Sequence, residues 1–284
     1  MTPNSLGSTR PLRRQASSQQ LVTRHNSVMF YGIAAAALLE TTGAACGAAL
    51  LAVLGADAQS RSWIEQVWLP AKRAHAERTR AYVEAMWPEF EWAAACDQFS
   101  ADHRRLTRTA GTGAGVARVA LACSMAAAQA AVFYRGLGAA ADDPELRRLL
   151  QDMSADEAAH FENFRRCYER HRQREHLGML ASYRTIVSCA SRARDVDVQL
   201  VFSRLNGSHW YGSVPFQELT YADFVARLAC VVRRNLPLGL AQRLLFKPWL
   251  TASDLPAVPA ASSPRPVSAR GMVAPRLAAG AQSR

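Results

Sequence analysis

A carboxylate and an imidazole stand three residues apart in the segment that reads DEAAH, residues 156–160. On a helix, Glu157 and His160 would share one face. The same face carries Leu150 and Met153, so it is predicted to point toward a core. Burying these two groups is costly unless they are paired or bound to a metal ion. The pair therefore indicates either a metal site inside a helical bundle or a hydrogen-bonded pair where two helices meet.

Helical patterns predominate along the chain, and no segment shows a convincing strand pattern. The four long predicted helices cover about residues 28–56, 62–86, 116–137 and 144–176. Shorter helical pieces are expected over residues 89–108, and two or three more helices over residues 179–248. These elements predict an all-α protein with a four-helix bundle at residues 28–178 and additional C-terminal helices at residues 179–250.

Local signals place the ends of these helices. Ser62 and Glu65 form a capping-box pattern that predicts the start of the second helix, and Pro70 is expected to kink that helix. Gly138 is expected to stop the third helix. Asp143 is the predicted N-cap of the fourth helix.

Further residues accompany the Glu157–His160 pair in a particular order. Tyr134 lies in the third predicted helix, Glu40 in the first and His75 in the second. In this order the chain resembles the ferritin-like di-iron carboxylate superfamily, which includes rubrerythrin-like proteins, over about residues 28–176. The resemblance implies a ferritin-like four-helix bundle. It also implies four metal ligands, which are Glu40, His75, Glu157 and His160.

Two positions depart from the ligand pattern of that superfamily. The resemblance places a Glu three residues before His75 and another two turns before Tyr134, where this chain has Lys72 and Ala127. Each missing or added charge is worth up to several kcal/mol at partly buried distances. The degenerate set therefore predicts a mononuclear site for Fe, Mn or Zn instead of a two-metal site, or no metal at all.

Lys72 and Tyr134 are the candidate catalytic residues. The Lys72 ammonium could replace the metal by pairing with Glu40 and Glu157. A buried lysine could instead have a lowered pKa and act as a base or nucleophile, and a kinked helix could expose Lys72 to water. Tyr134 could be a redox-active neighbour of a metal or a core residue with one hydrogen bond.

Charge and cysteine content restrict the class of protein. Of the eleven excess positive charges, seven lie in the two ends, residues 1–27 and 251–284, which are predicted to be disordered tails. The chain between them is only mildly basic, so no specific nucleic-acid partner is expected. The six cysteines are scattered and are predicted to be small buried hydrophobic residues in a reducing compartment.

The first apolar segment, residues 28–56, is also long enough to span a bilayer. Gly43 and Gly47 form a pair that membrane helices use for close packing. Glu40 near its middle would be costly in lipid and favours a buried helix of a bundle. We therefore expect a cytoplasmic protein, with an inner-membrane anchor as the alternative.

Three functions are consistent with these patterns. The first is a metal-dependent (Fe or Mn) oxidoreductase with an atypical site and an unknown small-molecule substrate. The second is a metal-free pseudoenzyme with a binding or structural role. The third is a single-span membrane protein anchored by residues 28–56. A homodimer stays open in each case.

Overall fold

The chain is mainly helical in the part described by the computed structural model, which comprises residues 17–108, 115–206 and 209–246. The predicted all-α class is confirmed for these residues. Their helices are α1 (Ser18–Arg24), α2 (Ser27–Glu40), α3 (Gly43–Leu54), α4 (Ala58–Trp63), α5 (Leu69–Met86), α6 (Trp92–Arg108), α7 (Val116–Ala140), α8 (Pro144–Arg172), α9 (Met179–Leu205), α10 (Tyr221–Arg234) and α11 (Leu238–Ala241). Two π-helical turns accompany them, at Ile64–Trp68 and Gln242–Phe246.

Four of these helices, within a larger helical bundle, carry the predicted residues. α7 and α8 pack along each other as a long pair, and α2 packs on α5. α5 also contacts α8, and α3 contacts both α5 and α7. Glu40, His75, Tyr134 and Glu157 therefore belong to four different helices of one helical bundle.

The first apolar segment is not one helix, as residues 28–56 were expected to be. It consists of α2 and α3, whose axes differ by 44°. The break lies at Thr41 and Thr42, whose hydroxyls donate hydrogen bonds to the carbonyls of Leu38 at 2.5 Å and Leu39 at 2.7 Å. These side-chain bonds add to those that the same two carbonyls accept from the Thr41 and Thr42 N–H groups, and such local bonding commonly bends a helix. The bend leaves Glu40 as the last residue of α2.

α2 is apolar on all sides because other helices surround it. Its Phe30 ring lies 5.2 Å from the rings of Trp87 and Phe90 and 4.9 Å from that of Trp210. α9 and α10, which belong to the region predicted to hold the additional C-terminal helices, also pack on α2. A helix enclosed in this way shows the continuous apolar run that a membrane span would show.

Within the described residues, α7 is long and apolar enough to cross a membrane. The α2–α3 pair would also qualify if it were counted as one bent span. Half of the qualifying α7 window is buried inside the protein. Core helices of soluble proteins meet the same criterion, so the location of the protein stays a prediction.

The second bundle helix begins earlier than the Ser62 capping-box pattern predicts. Asp57 is the N-cap of α4, where its Oδ1 accepts a hydrogen bond of 3.3 Å from the Gln59 N–H. The chain then passes through the π-helical turn at Ile64–Trp68, in which the Leu69 N–H bonds to the carbonyl five residues before it. Pro70 is the second residue of α5 and directly follows this π-helical turn, so the helical hydrogen bonding changes where the proline lacks its N–H.

Other helix boundaries confirm some signals and correct others. Asp143 caps α8 as predicted, its Oδ1 accepting a 3.1 Å hydrogen bond from the Glu145 N–H. α7 continues through Gly138, where a stop was predicted, and residues 92–108 form one helix where short pieces were expected.

The two predicted tails have different outcomes. Ser18–Arg24, inside the first predicted tail, form a helix with a capping box. Arg24 bonds to the Met86 carbonyl and to Glu89. Residues 1–16 and all of residues 251–284 lie outside the described residues.

Candidate functional site

Three of the four predicted metal ligands meet in the middle of the bundle. Glu40 ends α2, His75 lies on α5 and Glu157 on α8, and all three are buried. One ligand atom from each lies within 4.8 Å of the others, so the group could hold a metal ion. His160, the fourth predicted ligand, lies one turn beyond Glu157, with its Nδ1 3.3 Å from Glu157 Oε1.

The ammonium of Lys72 lies between the two carboxylates of this group. Its Nζ donates a hydrogen bond of 3.1 Å to Glu40 Oε1 and one of 2.6 Å to Glu157 Oε1. The Lys72 side chain is 15% exposed, and each carboxylate side chain is 3% exposed. Lys72 therefore occupies the space between two of the predicted ligands.

Tyr134, which lies on α7, makes a further contact with Glu40. Its hydroxyl donates a hydrogen bond of 2.6 Å to Glu40 Oε1, the oxygen that Lys72 also contacts. Burial, together with the negative charges of Glu40 and Glu157, raises the pKa of Tyr134 well above its ordinary value. The phenol is therefore neutral at physiological pH and acts as a donor.

His75 is held from both sides. Its Nε2 lies 2.9 Å from Oδ2 of Asp156, and its Nδ1 lies 3.6 Å from Oε2 of Glu40. Burial alone would lower the pKa of His75, but Glu40 and Asp156 together raise it. The two carboxylates thus favour the imidazolium form.

The carboxylates of the site are held ionised by their neighbours. Burial alone would raise the pKa of Glu40, but Lys72, His75 and Tyr134 lower it to about 2. Burial alone would also raise the pKa of Glu157, but His160 and Lys72 outweigh burial and lower that pKa. With Lys72 and His75 both protonated, the formal charges of the two carboxylates are balanced.

Lys72 does not have the electrostatics of a base or nucleophile. Burial alone would lower its pKa, but the charges of Glu40 and Glu157 outweigh burial and raise it above the ordinary value. A nucleophilic lysine needs the opposite shift. The water-exposed alternative does not hold either, because the side chain is 15% exposed.

Three buried polar atoms at the site have no hydrogen-bond partner among the described residues. They are Glu40 Oε2, His75 Nδ1 and His160 Nδ1. The His160 ring lies against Trp63, with ring centroids 5.9 Å apart. Such buried atoms usually bond to an ordered water, a ligand or an ion.

Close packing of α3 on α5 places Lys72. A Cβ on Gly43 would lie 2.9 Å from Lys72 Cβ, and a Cβ on Gly47 would lie 2.4 Å from Leu69 Cδ2. Real Cβ atoms do not approach that closely, so a larger residue at Gly43 would push against Lys72 Cβ and one at Gly47 would force the Leu69 side chain to move. Gly43 and Gly47, a spacing that membrane helices also use, therefore let α3 approach the start of α5 closely.

A cavity of about 430 Å³ opens beside Lys72. Ala127 lies in its wall, at the position where the resemblance places a Glu, so the short side chain leaves room there. Glu40, Lys72, Tyr134 and Glu157 form the polar end of the cavity. The remaining wall is mainly apolar and consists of Leu39, Thr42, Gly43, Cys46, Ala49, Leu50, Trp68, Cys123, Ala126, Ala127, Ala130 and Phe164.

Sequence reasoning missed two features of this site. The bond between Asp156 and His75 was not anticipated, although Asp156 belongs to the DEAAH segment. The cavity was not anticipated either. Its signal was Ala127, a small residue at a position where a large one was expected.

Comparisons of the chain with protein-family models, with curated proteins and with solved structures give no match. Inference about its function therefore rests on the arrangement of the site.

Proposed function

We propose that this chain is a ferritin-like bundle in which the Lys72 ammonium takes the place of a metal ion, and that it binds a small, mainly apolar molecule in the cavity beside Lys72. The observation that carries the proposal is the position of Lys72 Nζ, 3.1 Å from Glu40 and 2.6 Å from Glu157, at the polar end of that cavity.

Charge supports the metal-free interpretation. A divalent ion held by Glu40, His75 and Glu157 would lie beside the Lys72 ammonium, which occupies one direction on an oxygen of each carboxylate. Like charges at about 4 Å repel by several kcal/mol at a partly buried site. The ammonium already compensates the carboxylates, so a metal ion would have to displace it.

The cavity supports the binding role. Its volume of about 430 Å³ falls in the range of small-molecule sites, and its mainly apolar wall with one polar end is typical of them. Ala127 contributes to this space directly, because a Glu there would project into the cavity. The two departures from the superfamily pattern thus act together, since Lys72 replaces the ion and Ala127 opens room for a ligand.

The polar end indicates what the ligand carries. An ammonium has three N–H donors, and among the described residues Lys72 uses two of them, on Glu40 and Glu157. The third is available to a ligand acceptor. A carboxylate ligand would meet two ionised Glu side chains, and a cationic ligand would meet Lys72. A neutral acceptor such as a ketone fits best, and the raised pKa of Lys72 disfavours a Schiff base with it.

Manganese loading tests the role of Lys72. The wild-type chain and the variant Lys72→Glu are each incubated with Mn(II), separated from free ion, and assayed for bound manganese. We expect the wild type to retain far less than one ion per chain. Lys72→Glu rebuilds the Glu three residues before His75 and should retain about one. Stoichiometric manganese in the wild type would overturn the proposal.

Photolabelling tests the cavity. Benzophenone is a neutral, apolar ketone that cross-links on illumination, and labelled peptides are mapped by mass spectrometry. We expect labelling in the peptides that line the cavity. It should be lost in Ala127→Leu, which fills the space, and kept in the matched control Ala139→Leu on the exposed face of α7. Equal labelling of both variants would contradict the binding role.

A matched ligand pair tests the acceptor. Diphenylmethane has nearly the shape of benzophenone without the carbonyl. We expect benzophenone to bind more tightly than diphenylmethane to the wild type and equally in Lys72→Met, which lacks the donor. Equal affinity in the wild type would show that Lys72 does not bond the ligand.

A metal-dependent oxidoreductase is the second candidate function. The observation in its favour is that Glu40 Oε2, His75 Nδ1 and His160 Nδ1 are buried and find no hydrogen-bond partner within the described part of the chain. These atoms, with Glu157, would hold an Fe or Mn ion if Lys72 moved aside. The manganese experiment decides between the two candidates, since this one requires the wild type to retain the ion.

A further inference from the structure

A second cluster of ligand-type side chains lies outside the Lys72 site. Cys167 and His171 lie on α8, and Asp57 precedes α4. One ligand atom from each lies within 4.8 Å of the others, and His171 Nε2 is 3.9 Å from Asp57 Oδ2.

The sequence prediction that all cysteines are buried is wrong for Cys46, which is exposed; among the described cysteines Cys167 is the buried one.

The fold brings these three residues together in a fixed arrangement. Cys167 and His171 are four residues apart, so they lie on one face of α8. Asp57 is held as the N-cap of α4, and its Oδ2 accepts a hydrogen bond of 2.6 Å from the Ser60 hydroxyl. That hydroxyl also lies 3.5 Å from Cys167 Sγ.

A separate cavity of about 370 Å³ opens at this cluster. Asp57 and His171 lie in its wall, together with the basic side chains of Arg170 and Arg174. The Arg170 guanidinium donates a hydrogen bond of 2.7 Å to Asp57 Oδ2. A ligand in this cavity would therefore reach Asp57 and His171 and meet two positive charges.

We propose that Cys167, His171 and Asp57 bind one zinc ion, with its fourth coordination position open to this cavity and suited to an anionic ligand. Sulfur, imidazole nitrogen and carboxylate oxygen are the ligands that Zn²⁺ prefers, and three protein ligands with one open position is a common arrangement. Tetrahedral coordination needs donor atoms about 3.5 Å apart. The observed 3.9 Å between His171 and Asp57 requires only a small side-chain adjustment.

Charge supports both parts of the proposal. A thiolate and a carboxylate neutralise the two positive charges of the ion. Ser60 and Arg170 both bond to Asp57 Oδ2, the oxygen that would bind the ion. Unlike Lys72, which is 15% exposed and joins two buried carboxylates, the Arg170 side chain is 36% exposed and can turn toward solvent, so that the ion takes its place on Asp57. The zinc ion and its three ligands together carry no net charge, whereas Arg170 and Arg174 are positive. The open position therefore favours an anion over a neutral molecule.

Cobalt substitution tests the site on the full-length chain. The protein is freed of metal with a chelator, kept reduced with a phosphine, and titrated with Co(II). We expect one Co(II) per chain, a thiolate-to-cobalt charge-transfer band in the near ultraviolet, and displacement by Zn(II). Cys167→Ser should abolish the band, and His171→Ala should weaken Co(II) binding by at least about tenfold.

The controls separate this site from other thiols and from misfolding. Cys46→Ser, at an exposed free cysteine, should leave the band unchanged. His171 is more exposed than Cys167, so His171→Ala tests the site if Cys167→Ser fails to fold, as judged by circular dichroism. A band that survives in Cys167→Ser, or no band in the wild type, would overturn the proposal.

Acetate tests the open position. Added acetate should shift the visible Co(II) bands, and Arg174→Gln should weaken that response. Visible bands that do not change with acetate would refute the anion preference. The result is independent of the Lys72 site, because Mn(II), used there, favours oxygen ligands over thiolate.

Discussion

Lys72 donates a hydrogen bond of 2.6 Å to Glu157, a residue 85 positions further along the chain and on another bundle helix. The same ammonium reaches Glu40 on α2 at 3.1 Å. One cation thus joins α2, α5 and α8 at a depth where both carboxylates are 3% exposed. The stability of the bundle and the chemistry of its cavity should therefore depend on the same side chain.

Removing the Lys72 charge should destabilise the protein strongly. Lys72→Met removes the cation that bridges the two buried carboxylates, and breaking a buried pair costs about 3–5 kcal/mol. Chemical denaturation measures the loss in the free energy of unfolding. Adding Glu157→Gln to Lys72→Met should restore part of it, since one buried charge is removed.

The matched control for this variant lies one and a half turns further along the same helix. Arg78 pairs with Asp152 at 2.8 Å, but both side chains are about half exposed, at 47% and 49%. Arg78→Met should therefore cost less than about 1 kcal/mol. Equal losses for Lys72→Met and Arg78→Met would mean that Lys72 is not part of a buried network.

Acid should weaken the fold through Glu40. Its pKa is about 2 in the folded chain against an ordinary value of 4.5. A carboxylate whose pKa is lower in the folded than in the unfolded protein stabilises the fold at pH values above its unfolded pKa. That stabilisation is lost as the pH falls from about 4.5 toward 2. The difference corresponds to about 3 kcal/mol.

Urea denaturation at neutral pH and at a pH near 3 measures this contribution. The loss of stability on acidification should be smaller in Glu40→Gln than in the wild type. Glu84→Gln, at an exposed carboxylate paired with Arg80 on α5, should leave the loss unchanged. An identical acid loss in the wild type and Glu40→Gln would contradict the assignment.

The sequence predicted the residues of the site better than their geometry. The all-α class and the Asp143 N-cap follow from local patterns, and the structure confirms them. The resemblance to ferritin-like proteins placed Lys72 at the position of a ligating Glu, and this suggested that Lys72 could pair with Glu40 and Glu157. Their actual distances depend on how four helices pack, which no local pattern encodes.

Two other features could not be predicted from the sequence, for physical reasons. The break after Glu40 depends on the hydroxyls of Thr41 and Thr42, which compete with the backbone only in the folded geometry. The second helix was predicted to begin too late because the Ser62–Glu65 pattern is itself a plausible capping box, whereas in the structure Asp57 caps α4.

Packing at Gly43 should control the position of Lys72. In Gly43→Ala the new Cβ would lie 2.9 Å from Lys72 Cβ, so α3 must move away from α5. Overpacking of this kind costs about 1–3 kcal/mol. Gly239→Ala is the control, since nothing lies within 4 Å of a Cβ there. Thermal unfolding compares the two variants, and a Gly43→Ala protein as stable as Gly239→Ala would refute close packing at this point.

Tyr134 should stabilise the ionised form of Glu40. Tyr134→Phe removes a buried donor 2.6 Å from Glu40 Oε1, and hydrogen bonds to charged groups are worth about 1.5–3 kcal/mol. Denaturation should show that loss, whereas Tyr211→Phe, at an exposed tyrosine, should change stability by less than about 0.5 kcal/mol. Without the hydroxyl, the pKa of Glu40 should rise, so the acid loss of stability should begin at a higher pH than in the wild type. If Tyr134→Phe instead matched the wild type in both stability and acid response, the hydroxyl would not contribute to holding Glu40 ionised.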